Sequence, residues 1–246
     1  MKKIGFSVLA LVLILLIGGV VYIKTNLNSI VKSAMEKYGS EITQTDVTVK
    51  DVSISLTTGD GTVKGIHIGN PKSFFAARAM DVGSVTLHLD TGTVAGKGPI
   101  IIDTVNIDSP QITYEINATG DANLAQLQKN IGHYSSSSAK TSSSAPSRPV
   151  IIKNLYIRNG EVSVTNFLLG GREVTTSLPT IHLTDIGAEG KTLTAPQVAQ
   201  VVLGEMVMGA ARSGASAVTK ELGTVKNLGE DAVTKTKDAL TKFFDR

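Results

Sequence analysis

The chain has 246 residues, with 24 Lys+Arg against 21 Asp+Glu and a formal net charge of +3. With no Lys/Arg cluster interleaved with aromatics, that balance argues against a nucleic-acid partner. Zero cysteine excludes disulfides and thiolate metal sites, and because aromatics make up only 4% with no tryptophan, any core has to be built from Val, Ile and Leu.

The first element is the uncharged run Ile4 to Ile23, preceded by Lys2 and Lys3 and followed by Lys24. At about 1.5 Å per helical residue it reaches about 30 Å, the thickness of a bilayer's hydrocarbon core. A cleaved signal peptide has a shorter apolar region and a small-residue cleavage site, neither of which is present. The run is therefore expected to be a single transmembrane helix, an uncleaved signal anchor over residues 1–24. By the positive-inside rule Met1 stays cytoplasmic and the rest is translocated.

From Asn26 to about Ser40, Leu27, Ile30, Val31, Ala34, Met35 and Tyr38 recur at helical spacing up to Gly39, which predicts a juxtamembrane helix over 25–40. From Asp46 the period becomes two. Val47, Val49, Val52, Ile54 and Leu56 alternate with polar residues, with a slip at Lys50-Asp51 that fits a bulge or a change of face. Thr58-Gly59-Asp60-Gly61 is a turn signal. Strands follow at Val63–Ile68, at Val85, Leu87 and Leu89, at Ile100–Ile107 and at Ile112–Ile116, broken by Gly69-Asn70-Pro71 and Asp108-Ser109-Pro110. The pattern predicts a mainly antiparallel sheet with one apolar face.

An internal repeat appears at an offset of fifty: Ile101 to Thr113 lines up with Ile151 to Ser163, apolar on apolar, with a turn at the same place. Between the copies, Asn123-Leu124-Ala125-Gln126-Leu127 opens a short helix capped by Asp121 or Asn123. Ser135 to Pro149 reads as a flexible loop inside the β domain, 41–194. The segment 195–246 reads as an amphipathic helical tail. Thr194 is its cap, Pro196 lies in its first turn, Val198, Val201, Val202, Met206 and Met208 follow, and glycines interrupt at Gly209 and Gly214. Farther on, Leu222, Val233 and Phe244 are eleven apart.

Several stretches taken together resemble the amino-terminal module of the AsmA-like family of bacterial envelope proteins. They are Tyr38-Gly39-Ser40-Glu41, Val47 to Leu56, Gly65-Ile66-His67-Ile68-Gly69-Asn70-Pro71, Val85 to Asp90, Ile102 to Pro110 and Asn123-Leu124, in that order. The resemblance covers roughly Lys2 to Ile131, with a weaker second pass from Val150 to Ile186. It implies a single-pass protein of the bacterial inner membrane, with the bulk of the chain periplasmic. It also implies an AsmA-like curved sheet forming an apolar groove, and larger relatives are associated with moving phospholipid and with outer-membrane integrity. This chain is shorter: a compact body of about 170 residues has a diameter near 40 Å and would not span an envelope alone.

No catalytic, cofactor or metal site is expected. His67, His88, His133 and His182 form no HExxH or closely spaced ligand set. Asp103 and Asp108 read as strand-ending residues rather than a carboxylate pair across one cleft. Gly59-Asp60-Gly61 lacks the Gly-Lys-Ser/Thr of a phosphate loop, and Asn117-Ala118-Thr119 is a sequon short enough to arise by chance. The remaining candidate is the apolar strand face of Val85, Leu87, Leu89, Ile107, Ile112, Tyr114, Ile157, Val162 and Val164. Two readings stay open: a groove for phospholipid acyl chains in a non-enzymatic lipid-handling protein, or an ordinary core under the carboxy-terminal helices of a structural, scaffolding module. The expected partners are accordingly the membrane, phospholipid and other envelope proteins, with the oligomeric state open.

Overall fold

The computed structural model describes residues 26–94, 96–138, 148–166, 173–188, 190 and 193–224. They form helix α1 (residues 26–43), β1 (Val47–Ile54), β2 (Asp60–Gly69), β3 (Arg78–Leu89), α2 (Thr91–Val94), β4 (Ile100–Ile116), α3 (Asn123–Ser138), β5 (Val150–Arg158), β6 (Gly160–Asn166), β7 (Glu173–Leu178), β8 (Ile181–Ile186) and α4 (Ala195–Thr224).

The strands make one sheet in the order β1-β2-β3-β4-β5-β8, with β6 also paired to β4 and β7 to β6. Neighbours from β1 to β4 are antiparallel, as alternation and turn residues predict. The first connection depends on Gly59, whose φ is 83°. A Cβ there would lie 2.2 Å from the Leu89 carbonyl oxygen, so only glycine lets the Gly59 oxygen accept from the Leu89 amide at 2.7 Å.

The expectation of a mainly antiparallel sheet is corrected at β4. This 17-residue strand pairs in parallel with β5 along one half and with β6 along the other. The partners are Ile101 with Ile151 and Ile112 with Val162, so the offset of fifty seen in the sequence is the pairing register itself. Stacking the copies in parallel sets like residues side by side. The long crossover that parallel neighbours require is supplied by α3 and the chain after it.

Both copies bend at the same place. Ser109 has φ 52° and Asn159 φ 55°, and Asn159 Nδ2 donates to Asp108 Oδ1 at 2.8 Å across the pair. Buried side chains go from Ile107 to Ile112 and from Ile157 to Val162, an odd step that would reverse the face of a flat strand. The left-handed residue absorbs the odd step, so the apolar set stays on one side of the sheet. Two apolar rows result across six strands: Val52, Val63, Val85, Ile107, Ile157, Ile181, and Ile54, Gly61, Leu87, Val105, Leu155, Leu183.

Helix α1 runs along the β1 edge. Val31 and Met35 pack on Val49, Val52 and Val63, and its polar side chains cap the amides that β1 turns away from β2. Ser40 Oγ accepts from Val47, Glu36 Oε1 from Val49 and Asn28 Oδ1 from Ile54, each at 2.9 Å. That closes an edge which would otherwise template strand addition.

Helix α4 begins as predicted. Gln197 Oε1 accepts from the Thr194 amide and hydroxyl at 2.8 and 3.0 Å, in the manner of a capping box. It then runs unbroken through Gly209 and Gly214, where an interruption was expected. Both glycines face the sheet: a Cβ on Gly214 would lie 2.5 Å from Tyr114 Cδ1, and one on Gly209 3.1 Å from Ile181 Cδ1. Glycine here permits close packing of helix on sheet, with Ala210, Ala211 and Ala215 buried around it. Ser135–Ser138 belong to α3 rather than to the expected loop, and residues 139–147 lie outside the described residues, as do Val233, Leu240, Phe243 and Phe244.

The membrane assignment is also corrected. No helix among the described residues is long and apolar enough to cross a membrane, which leaves a single-pass inner-membrane protein with a periplasmic bulk unsupported. At 30 residues α4 has the length, but it carries Glu205, Arg212, Lys220 and Glu221 and buries its apolar side on the sheet. The run Ile4 to Ile23, on which the signal anchor was read, lies outside the described residues.

Candidate functional site

The nine residues of the candidate face share one side of the sheet and divide into two groups. Ile107, Ile112, Tyr114, Ile157, Val162 and Val164 are buried, between 0% and 6% exposed. Helices α3 and α4 lie over this part, and they are locked to each other by hydrogen bonds from Gln200 Nε2 to the Ile131 oxygen at 2.9 Å and from Gln128 Nε2 to Met208 Sδ at 3.3 Å. Tyr114 is sealed against Gly214, and this burial pushes its phenol well above the ordinary value. By contrast Val85, Leu87 and Leu89 of β3 are half-buried. Ile181 and Leu183 of β8, which sequence reading did not single out, are half-buried at the far end of the same rows. Their signal was the short alternation Ile-His-Leu-Thr.

The polar candidates resolve into cross-strand pairs. His67 Nδ1 lies 2.7 Å from Asp81 Oδ1, and His88 Nδ1 lies 3.0 Å from Asp60 Oδ1. Hydrogen bonding to His88 lowers the Asp60 pKa. His182 stacks on Tyr156 with ring centroids 4.2 Å apart, and the Arg158 guanidinium also lies over the Tyr156 ring, 4.2 Å from its centroid. Asp103 pairs with Lys153, fifty residues on, at 2.7 Å, and the hydrogen bond raises the lysine pKa. No group of three metal-ligating side chains occurs among the described residues. Asn117 of the sequon accepts from the amides of Thr119 and Asp121, which makes it a turn residue.

One constellation escaped sequence reasoning. Glu115 is only 7% exposed, although it occupies a polar position of β4. Its Oε1 accepts from the Phe75 amide at 2.7 Å, and its Oε2 accepts from the Ala76 amide and from Asn70 Nδ2, both at 2.8 Å. Asn123, fully buried at the start of α3, donates to Asn70 Oδ1 and to the Thr113 oxygen and accepts from the amides of Glu115 and Leu124. Every polar atom of the three side chains is thereby matched, as burial demands. The signal was present in Asn70-Pro71 and Asn123-Leu124, but nothing in the alternation marks Glu115 as inward-facing. The cluster clamps the β2–β3 connection, whose tip carries Phe75 at 93% exposure.

Neither a family model nor a curated protein matches this chain.

Proposed function

We propose that the chain is a non-enzymatic lipid-handling protein of the AsmA-like kind, in which the half-buried part of the apolar face, at Val85, Leu87 and Leu89, meets acyl chains. What supports this reading is the uninterrupted apolar character of the two rows together with their incomplete cover at β3. Contiguous apolar surface left open beyond a few hundred Å² marks a binding site.

The test is lipid copurification from the full chain, extracted gently and compared with Leu87→Glu. A half-buried site tolerates the charge, so the thermal midpoint should hold while bound lipid falls severalfold. Wild type without lipid, or with the same lipid content as the variant, contradicts the proposal. A second reading, a structural module whose groove is filled by its own helices, is favoured by the burial of the other six residues. It predicts that contradicting result.

A further inference from the structure

We propose that the β2–β3 connection is a membrane-docking tip, with Phe75 entering the surface of an anionic phospholipid bilayer. This goes beyond the acyl-chain reading of the sheet face and stands or falls separately from it.

Three observations carry the inference. The first is exposure: Phe75 is 93% exposed, with Phe74 half-buried beside it. No other large apolar residue among the described ones exceeds half of that exposure.

The second is order. The backbone amides of Phe75 and Ala76 are each held by a carboxylate oxygen of buried Glu115, at 2.7 and 2.8 Å, and Asn70 Nδ2 donates to the Ala76 oxygen at 3.1 Å. These bonds fix the loop backbone, so the ring is carried on an ordered tip.

The third is charge. The charged side chains of the loop are Lys72, which is exposed, and Arg78, whose guanidinium is drawn back by Asp81 Oδ2 at 2.8 Å, so Lys72 is the cation that the tip presents. An exposed apolar ring beside an exposed lysine matches an anionic interface, where the ring enters the headgroup and acyl boundary and the cation adds attraction.

A protein partner is the weaker match. A stable interface needs about 800 Å² from each side. The other exposed large apolar residues among the described ones, Ile30, Tyr38 and Val201, lie on α1 and α4 rather than around this loop.

The chain has no tryptophan, so Phe75→Trp in the full chain places a single tryptophan at the tip, excited selectively over the tyrosines. Ile30→Trp is the matching emitter near the start of α1, close to the apolar run of residues 4–23. Vesicles of phosphatidylglycerol and phosphatidylcholine with brominated acyl chains should shift the position-75 emission to shorter wavelength and quench most of it. Pure phosphatidylcholine vesicles or high salt should weaken the effect. Lys72→Glu should raise the lipid concentration at half-effect roughly thirtyfold, since it changes the tip charge by two.

Quenching at position 30 alone would mean that lipid contact runs through the amino-terminal stretch only, and overturns the proposal. Emission from position 75 that is already blue-shifted without vesicles, and that depends on protein concentration, would mean that a second copy covers the tip, and overturns it as well. Unchanged lipid copurification beside a negative tip result would leave the sheet-face reading standing.

Discussion

Glu115 shows how one buried carboxylate can order a surface loop with no cationic partner among the described residues. All three groups around it donate N–H, so a side-chain amide, which accepts on one atom only, cannot replace it. Glu115→Gln is expected to cost about 1–3 kcal/mol and Glu115→Ala roughly 2–4 kcal/mol, because backbone donors are left unmatched. The shift of the urea midpoint measures both. The alanine variant should also become cleavable by chymotrypsin at Phe74 and Phe75, which the ordered loop protects.

Tyr114 gives a pH prediction with a definite sign. Burial raises its phenol pKa in the fold, so its contribution is fully present below the unfolded value of about 10 and is lost as pH rises beyond it. Absorbance of phenolate should report one tyrosine that ionises only when the protein unfolds. Tyr114→Phe should remove that late step.

Among the elements, α4 separates two roles of glycine in one helix. Gly214→Ala must push a methyl into the Tyr114 ring, 2.5 Å from the ideal Cβ position, and is expected to destabilise by about 1–3 kcal/mol. Gly204→Ala meets nothing within 4 Å and should stabilise by up to about 1 kcal/mol through helix propensity. Thermal melts of the two variants should therefore move in opposite directions.

At the β1 edge, replacing Asn28, Glu36 and Ser40 together by alanine uncaps three strand amides. Light scattering should then show aggregation that wild type lacks.

These elements also mark the reach of sequence reading. Period-two alternation and Gly59 made the first hairpins legible, and the repeat at fifty fixed which residues belong together. The parallel direction of that pairing was not legible, because apolar alternation is the same whichever way a neighbour runs. Gly209 and Gly214 look like helix breaks until Ile181 is seen against the first and the ring of Tyr114 against the second. A partner from a distant element, not the local sequence, decided each of those cases. The same holds for Glu115, whose three donors come from residues about 40 positions away.

For the whole molecule, the described residues make up a sheet, two helical covers and a clamped tip. The apolar face was legible as a set, since all nine chosen residues lie on it. Its division into a sealed part under α3 and α4 and a half-open part at β3 was not legible, because the cover comes from a helix some 100 residues later in the chain. The central claim is that acyl chains reach the half-open part.

The most direct measurement places a photoreactive phenylalanine analogue at Leu87 and, as a control, at Asn106 on the polar side of β4, with irradiation in native lipid followed by mass spectrometry of the peptides. The account predicts a phospholipid adduct at position 87 and none at 106. A folded protein with no adduct at 87, or with equal adducts at both positions, would contradict it.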